Sequence, residues 1–160
     1  MKSCVIYYSR FGNTKAVAEA IAGVLADAGE VRTTPIDELA AADLADADTV
    51  IVGSPTHYQN LPKAVRASLA TLPKRALRGK RVAAFDTSLE AWGPLMSMTA
   101  AHRLLPKLRK LGGRRLVRPA TFFVTRGVDS ESEERKDALC EGEIGHARAW
   151  ADSILAASSS

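Results

Sequence analysis

Short apolar runs alternate with longer amphipathic segments along this 160-residue chain, and this alternation restricts the fold more than any other feature. The runs have the length and composition of buried strands, as residues 50–52 (Val-Ile-Val) illustrate. The segments between them place apolar side chains at helical spacing, as Val17, Ile21 and Leu25 do. Strands that alternate with helices predict a parallel sheet with helices on both faces, joined by right-handed crossovers.

The pattern predicts an α/β fold with one doubly wound, five-stranded parallel sheet. Its strands are expected at residues 3–8, 30–35, 48–53, 81–85 and 115–125, and its helices at 14–28, 61–72, 96–111 and 137–156. The polar second strand is expected near a sheet edge, and Pro106 is expected to kink or restart the third helix. Residues 1–156 are expected to form the single domain, with 157–160 as a flexible tail.

The loops after the first, third and fourth strands are the expected site, because ligands of such sheets bind beyond the carboxyl ends of the strands. The first of them leads directly into a helix and reads Ser9-Arg10-Phe11-Gly12-Asn13-Thr14. Its hydroxyl and amide groups, its glycine and the unpaired N–H groups of the helix favour a phosphate monoester. An ordinary helix N-cap is the alternative interpretation. The loop has neither a dinucleotide fingerprint nor a nucleotide-triphosphate motif.

The other two loops bring aromatic rings to the same edge. The second contains Pro55, Thr56, His57 and Tyr58, and its tyrosine is placed to stack on a planar ligand or to lie on the surface of a turn. The third contains Thr87, Ser88, Leu89 and Trp92, and the tryptophan either borders that ligand or anchors the next helix. Together the three loops outline a site for a ligand with a phosphate tail and a planar head.

The chain resembles the flavodoxin family. Its first loop follows an apolar strand and has the family pattern Ser/Thr-x-x-Gly-x-Thr, and residues 53–56 (Gly-Ser-Pro-Thr) are similar to the second flavin loop of flavodoxin-like domains, including those fused to diiron oxygen reductases. The resemblance implies bound FMN, with the phosphate held by Ser9 through Thr14. It also implies that the isoalloxazine ring lies between the loops at Pro55–Tyr58 and Thr87–Trp92.

The charge and the cysteine content indicate which kind of partner and which cellular compartment to expect. The net charge is +4 and the pI is about 9.3, whereas flavodoxins are usually acidic. A basic protein is compatible with an acidic redox partner. The span between Asp48 and Asp129 has only two acidic residues, Asp86 and Glu90, and holds most of the lysines and arginines, including Arg103, Lys107, Arg109, Lys110, Arg114, Arg115 and Arg118. No nucleic-acid motif accompanies them, no apolar run is long enough for a bilayer, and no signal peptide is recognised, so the cytoplasm is expected. Neither cysteine has metal or redox spacing, and Cys4 is expected to be buried.

An FMN-dependent electron carrier is the function we expect from these observations. A flavin-dependent oxidoreductase of the same fold, such as a quinone reductase or a protoporphyrinogen oxidase, is the alternative. A binding module that has lost its flavin is the third interpretation, and the intact phosphate-loop residues argue against it. The sequence does not indicate the oligomeric state.

Overall fold

The computed structural model describes residues 1–57, 60–90 and 99–160 of the chain. Within them, the strands are β1 (Lys2–Tyr7), β2 (Glu30–Pro35), β3 (Thr49–Pro55), β4 (Arg81–Leu89), β5 (Arg114–Arg115), β6 (Ala120–Thr125) and β7 (Ala138–Leu139). The helices are α1 (Asn13–Ala26), α2 (Ala41–Ala45), α3 (Lys63–Ala70), α4 (Ala100–Lys110) and α5 (Glu143–Ser158), and a 3₁₀ turn covers Ile36–Glu38. In this part of the chain no helix has the length and hydropathy needed to cross a membrane.

One sheet organises the domain, in the strand order β2-β1-β3-β4-β6-β7 with β5 beside the start of β4. The pairs among β1, β2, β3, β4 and β6 are parallel, which confirms the predicted five-stranded doubly wound core, and β2 lies at the edge as expected. Strand order reverses between β1 and β3, the place where such sheets bind ligands.

The segment predicted as one strand at 115–125 is divided. Arg114 and Arg115 pair with the first two residues of β4, whereas β6 pairs with its last five residues. Pro119 lies between the two pieces and has no N–H to donate to a ladder, which explains the break. The fourth strand itself continues past the predicted end at Phe85 to Leu89, because β6 supplies it with a partner there.

The last helix was predicted to begin too early. Residues 138–139 form β7, which pairs antiparallel with the end of β6. The helix α5 begins only after Gly142, which has a left-handed φ of 84°. The helix α4 is continuous from Ala100 to Lys110 with Pro106 inside it, so the proline does not restart it. The start predicted at residue 96 lies outside the described residues.

Helices cover both faces of the sheet. Ile6, Val52 and Ala84 face the layer of α2, α3 and α4, and Cys4 is buried in the same layer as expected. Val5, Ile51 and Phe85 face α1 and α5. Phe85 also explains Gly53, since a Cβ at that glycine would lie 2.0 Å from the phenylalanine ring. A central strand that is buried on both faces needs a continuous apolar run, and β3 has one at residues 50–52.

Candidate functional site

A cavity opens at the carboxyl edge of the sheet, where ligands of doubly wound folds bind. The three predicted loops supply eleven of its lining residues: Ser9, Arg10, Phe11, Asn13, Thr14, Pro55, Thr56, His57, Thr87, Ser88 and Leu89. Gly12 adjoins the cavity as the residue before α1. The predicted Tyr58 and Trp92 lie outside the described residues. Eleven predicted residues therefore line one cavity.

The first loop presents the open amino end of α1 to this cavity. Gly12 takes a φ of 87° and its carbonyl accepts the N–H of Ala16, so the earlier N–H groups of the helix are left without helical partners. Described side chains neither cap this end nor place a carboxylate in its first turn. The hydroxyl oxygen of Ser9 is shielded from solvent and has no hydrogen-bond partner among the described residues. A buried polar atom left unpaired in a native fold calls for a ligand or water to satisfy it.

The side chains of Asn13 and Thr14 fasten this loop to the sheet. The amide of Asn13 donates to the carbonyl of Asp137 at 2.7 Å, and the hydroxyls of Thr14 and Thr87 lie 2.8 Å apart. Both threonines are buried, so the loop is fixed in position before any ligand arrives.

The second loop is held from two sides. The N–H of Thr56 donates to the carbonyl of Thr87, and its hydroxyl accepts the N–H of Ala100 at the start of α4. The backbone groups of His57 and Asn60 exchange two hydrogen bonds, which closes the loop. Burial lowers the pKa of His57, and the charges of Arg10 and Arg135 lower it further, so the imidazole is neutral at pH 7.

The third group of residues belongs to a strand, contrary to the sequence prediction of a loop from Asp86 onward. Thr87, Ser88 and Leu89 are paired with Phe122, Phe123 and Val124 of β6. The pairing fixes their side chains alternately on the two faces, so Thr87 reaches Thr14 on the α1 side.

Four cavity residues were missed by the sequence analysis: Val124, Arg126, Arg135 and Asp137. The chain leaves β6 at the carboxyl edge, so strand position alone was a signal for Arg126. Arg135 and Asp137 return from a polar excursion that carries no local signal. Their side chains form a two-point ion pair at 2.9 and 2.6 Å, and its hydrogen bonds are the main cause that lowers the pKa of Asp137.

The cavity is cationic, and among the described residues the basic span between Asp48 and Asp129 contributes Arg126 to its lining. Three arginines line it against one carboxylate, and the guanidinium groups of Arg10 and Arg135 lie 4.9 and 5.8 Å from the centre of the Phe11 ring. None of the seven basic residues named from sequence lines it. Two of them, Arg114 and Arg115, form β5 at the amino end of β4, the opposite edge of the sheet.

A doubly wound sheet with an uncapped helix N-terminus at its switch point is typical of one class, the α/β domains that bind phosphate-carrying cofactors. The family model described as "Flavodoxin domain" matches residues 4–134, and the chain belongs to that family. A flavodoxin from Clostridium saccharobutylicum is 29% identical over 129 residues, which cover 77% of this chain and 81% of the relative. The function that this membership supports is electron transfer by a flavin-binding flavodoxin.

Solved structures agree on the fold. Flavodoxin 2 from Bacillus cereus superposes with a TM-score of 0.76 at 22% identity, covering 98% of this chain and 99% of that one. The rubredoxin oxygen:oxidoreductase from Desulfovibrio gigas gives 0.73 at 19% identity and covers 99% of this chain but 36% of the larger protein. A WrbA-like flavodoxin from Agrobacterium tumefaciens gives 0.73 at 21% identity, covering 99% and 98%.

Proposed function

We propose that this chain binds one FMN non-covalently in the cavity at the carboxyl edge and carries electrons between redox partner proteins. The observation that supports it most is the fastened loop from Ser9 to Thr14, which offers unpaired N–H groups and an unpaired hydroxyl at the switch point of the sheet. Such a loop fits a phosphate, and phosphate is what distinguishes FMN from riboflavin.

The protein residues divide the binding between them. Backbone N–H groups after Gly12, with Ser9 and Asn13, would hold the phosphate, and the Thr14–Thr87 pair keeps the loop against β4. Pro55 to His57 would flank one side of the ring and Thr87 to Leu89 the other, with Tyr58 and Trp92 predicted beside them. FMN, when bound, supplies the reversible uptake of electrons.

The positive charge at the cavity mouth indicates the charge of the redox partner. Arg10, Arg126 and Arg135 are all exposed and all line the cavity. Like charges grouped in one place steer an oppositely charged protein toward them. We therefore propose an acidic redox partner that docks over the cavity. We also propose that the protein works in the cytoplasm.

Absorption of the purified or FMN-reconstituted protein tests the proposal. We expect flavin bands from about one FMN per chain, bleached by dithionite and restored by an electron acceptor. A protein that retains no flavin after reconstitution and gel filtration contradicts it. Denaturing the holoprotein should release the flavin into solution, because the binding is non-covalent.

A further inference from the structure

Asp86 places a fully buried carboxyl group beside the cavity without lining it. The side chain is 0% exposed, and its Oδ2 accepts the N–H of Ala101 at 2.7 Å on the α4 side of the sheet. Its neighbour Thr87 points to the other side and lines the cavity. Because consecutive Cα atoms are about 3.8 Å apart, the carboxyl lies directly behind the cavity wall.

The capping of α4 does not by itself require a charge there. An acceptor oxygen is sufficient to satisfy the N–H of Ala101, and an asparagine offers one without the cost of burying an ion. Burial raises the pKa of Asp86 to about 6, while hydrogen bonds from Thr99, Ala101 and Thr121 act in the opposite direction. An ionisable group kept at such a cost, next to a cofactor cavity, indicates a role in which its charge changes.

One oxygen of this carboxyl has a free lone pair that can accept a proton. Oδ1 is shielded from solvent and makes no hydrogen bond of ordinary geometry with a described residue. The Thr99 hydroxyl approaches the carboxyl, and it also lies 3.0 Å from Nδ1 of His102. His102 is only half-buried, so Asp86, Thr99 and His102 form a polar path from the core to the surface.

The carboxyl has few ionisable neighbours. The first turn of α4 contributes His102 and Arg103, Glu90 follows β4, and the loop after β3 contributes His57 and Tyr58. The strands β3 and β6, which flank β4, contain no ionisable residue, and neither does the segment 91–98. Burial raises the pKa of Asp86 and hydrogen bonds partly offset the increase, and the charge of no described residue contributes to the shift.

We propose that Asp86 takes up a proton from solvent, by way of Thr99 and His102, when the flavin held in the adjacent cavity gains electrons. This inference rests on the proposed function. The redox partner supplies the electrons and water supplies the proton, which forms an O–H bond on the carboxylate. Negative charge added to the cavity raises the proton affinity of a nearby carboxylate, and the proton in turn offsets that charge.

The sign of the pH dependence follows from this coupling. At pH 5 the carboxyl is already protonated before reduction, so wild type and Asp86→Asn should have the same midpoint potential. At pH 8 the wild type keeps a negative charge beside the oxidised cofactor, so its potential should be lower than that of the variant. The wild-type potential should therefore fall more steeply between these pH values.

Potentiometry of FMN-loaded proteins from pH 5 to 8.5 tests the inference, with Asp137→Asn as the matched control. Asp137 lines the cavity, and its pKa is held low, so this variant should raise the potential by the same amount at every pH. Reduced-minus-oxidised infrared spectra should show a carboxylic acid band that Asp86→Asn lacks. Thr99→Val should slow proton uptake in stopped flow with a pH indicator, and Thr99→Ser should restore it.

A second measurement covers the case in which Asp86→Asn fails to fold. Carbon NMR of labelled aspartate in the wild type should show the Asp86 carboxyl titrating at higher pH after reduction by dithionite. The inference is overturned if the Asp86 carboxyl titrates at the same pH before and after reduction. It is also overturned if the midpoint potential of Asp86→Asn depends on pH as the wild-type potential does. Neither result affects FMN binding. If the wild type instead fails to bind FMN, that result contradicts the proposed function. The Asp86 carboxyl can still be titrated in the apoprotein, so the two kinds of failure can be distinguished.

Discussion

The hydroxyl of Thr14, in the first turn of α1, lies 2.8 Å from the hydroxyl of Thr87, near the end of β4. Two hydroxyls carry two hydrogens, and only one is used between them, so the pair has one left to donate toward the cavity. Thr14→Val should weaken FMN binding by about 1 kcal/mol, roughly fivefold, and Thr14→Ser should retain it. Calorimetry of the two variants checks this; a loss in Thr14→Ser with none in Thr14→Val would show that the methyl group, not the hydroxyl, matters.

The arginines at the cavity mouth should raise the reduction potential, because a reduced flavin carries negative charge. A cation about 10 Å away contributes roughly 1–2 kcal/mol at an effective dielectric constant near 20, before screening by salt. Arg126→Gln should therefore lower the potential by a few tens of millivolts, on the order of 60 mV per 1.4 kcal/mol for one electron. Arg115→Gln, at the opposite edge of the sheet, is the control and should leave it unchanged. Equal shifts in both variants would contradict a local effect of the cavity arginines.

Reduction by NADPH distinguishes a carrier from a reductase. The 160 residues contain no G-x-G-x-x-G dinucleotide fingerprint, so NADPH alone should reduce the holoprotein slowly. Adding a separate NADPH-dependent flavodoxin reductase should accelerate flavin bleaching greatly in stopped flow. Rapid bleaching by NADPH alone would favour the quinone-reductase interpretation instead.

Trp92 is predicted from sequence to border the flavin, and fluorescence tests this. The other tryptophan, Trp150, packs edge-on against Phe85 and Phe122, with ring centres 6.1 and 6.3 Å apart, in the layer of α5. FMN should quench most of the Trp92 emission, and Trp92→Phe should leave only a weaker quench of Trp150. A quench of unchanged size in Trp92→Phe would place Trp92 away from the flavin.

The order of the elements could be predicted because it depends on local apolar periodicity. The runs of β1, β3 and β4 are buried on both faces, and only a sheet between two helical layers satisfies them. The edge on which the loops meet followed from the parallel topology, so most of the cavity residues were found. Local sequence was therefore sufficient wherever burial alone set the structure.

Pairing between distant residues explains what could not be predicted. Thr87 to Leu89 form strand rather than loop only because β6 lies beside them, and β7 exists only through its antiparallel pairing with β6. The ion pair of Arg135 and Asp137 lies at the cavity, where the side-chain amide of Asn13 donates a hydrogen bond to the carbonyl of Asp137. Asn13 and Asp137 are 124 residues apart in sequence. A polar segment carries no periodicity that reveals such a contact.

Calorimetric titration of the apoprotein with FMN and with riboflavin tests the central claim most directly. The two ligands share the ring and differ in the phosphate, whose charge-assisted hydrogen bonds contribute roughly 1.5–3 kcal/mol each. We predict about one FMN per chain, riboflavin bound more than about tenfold more weakly, and a Ser9→Ala variant that loses affinity for FMN but not for riboflavin. Equal affinity for FMN and riboflavin would contradict the assignment of the Ser9–Thr14 loop as the phosphate site.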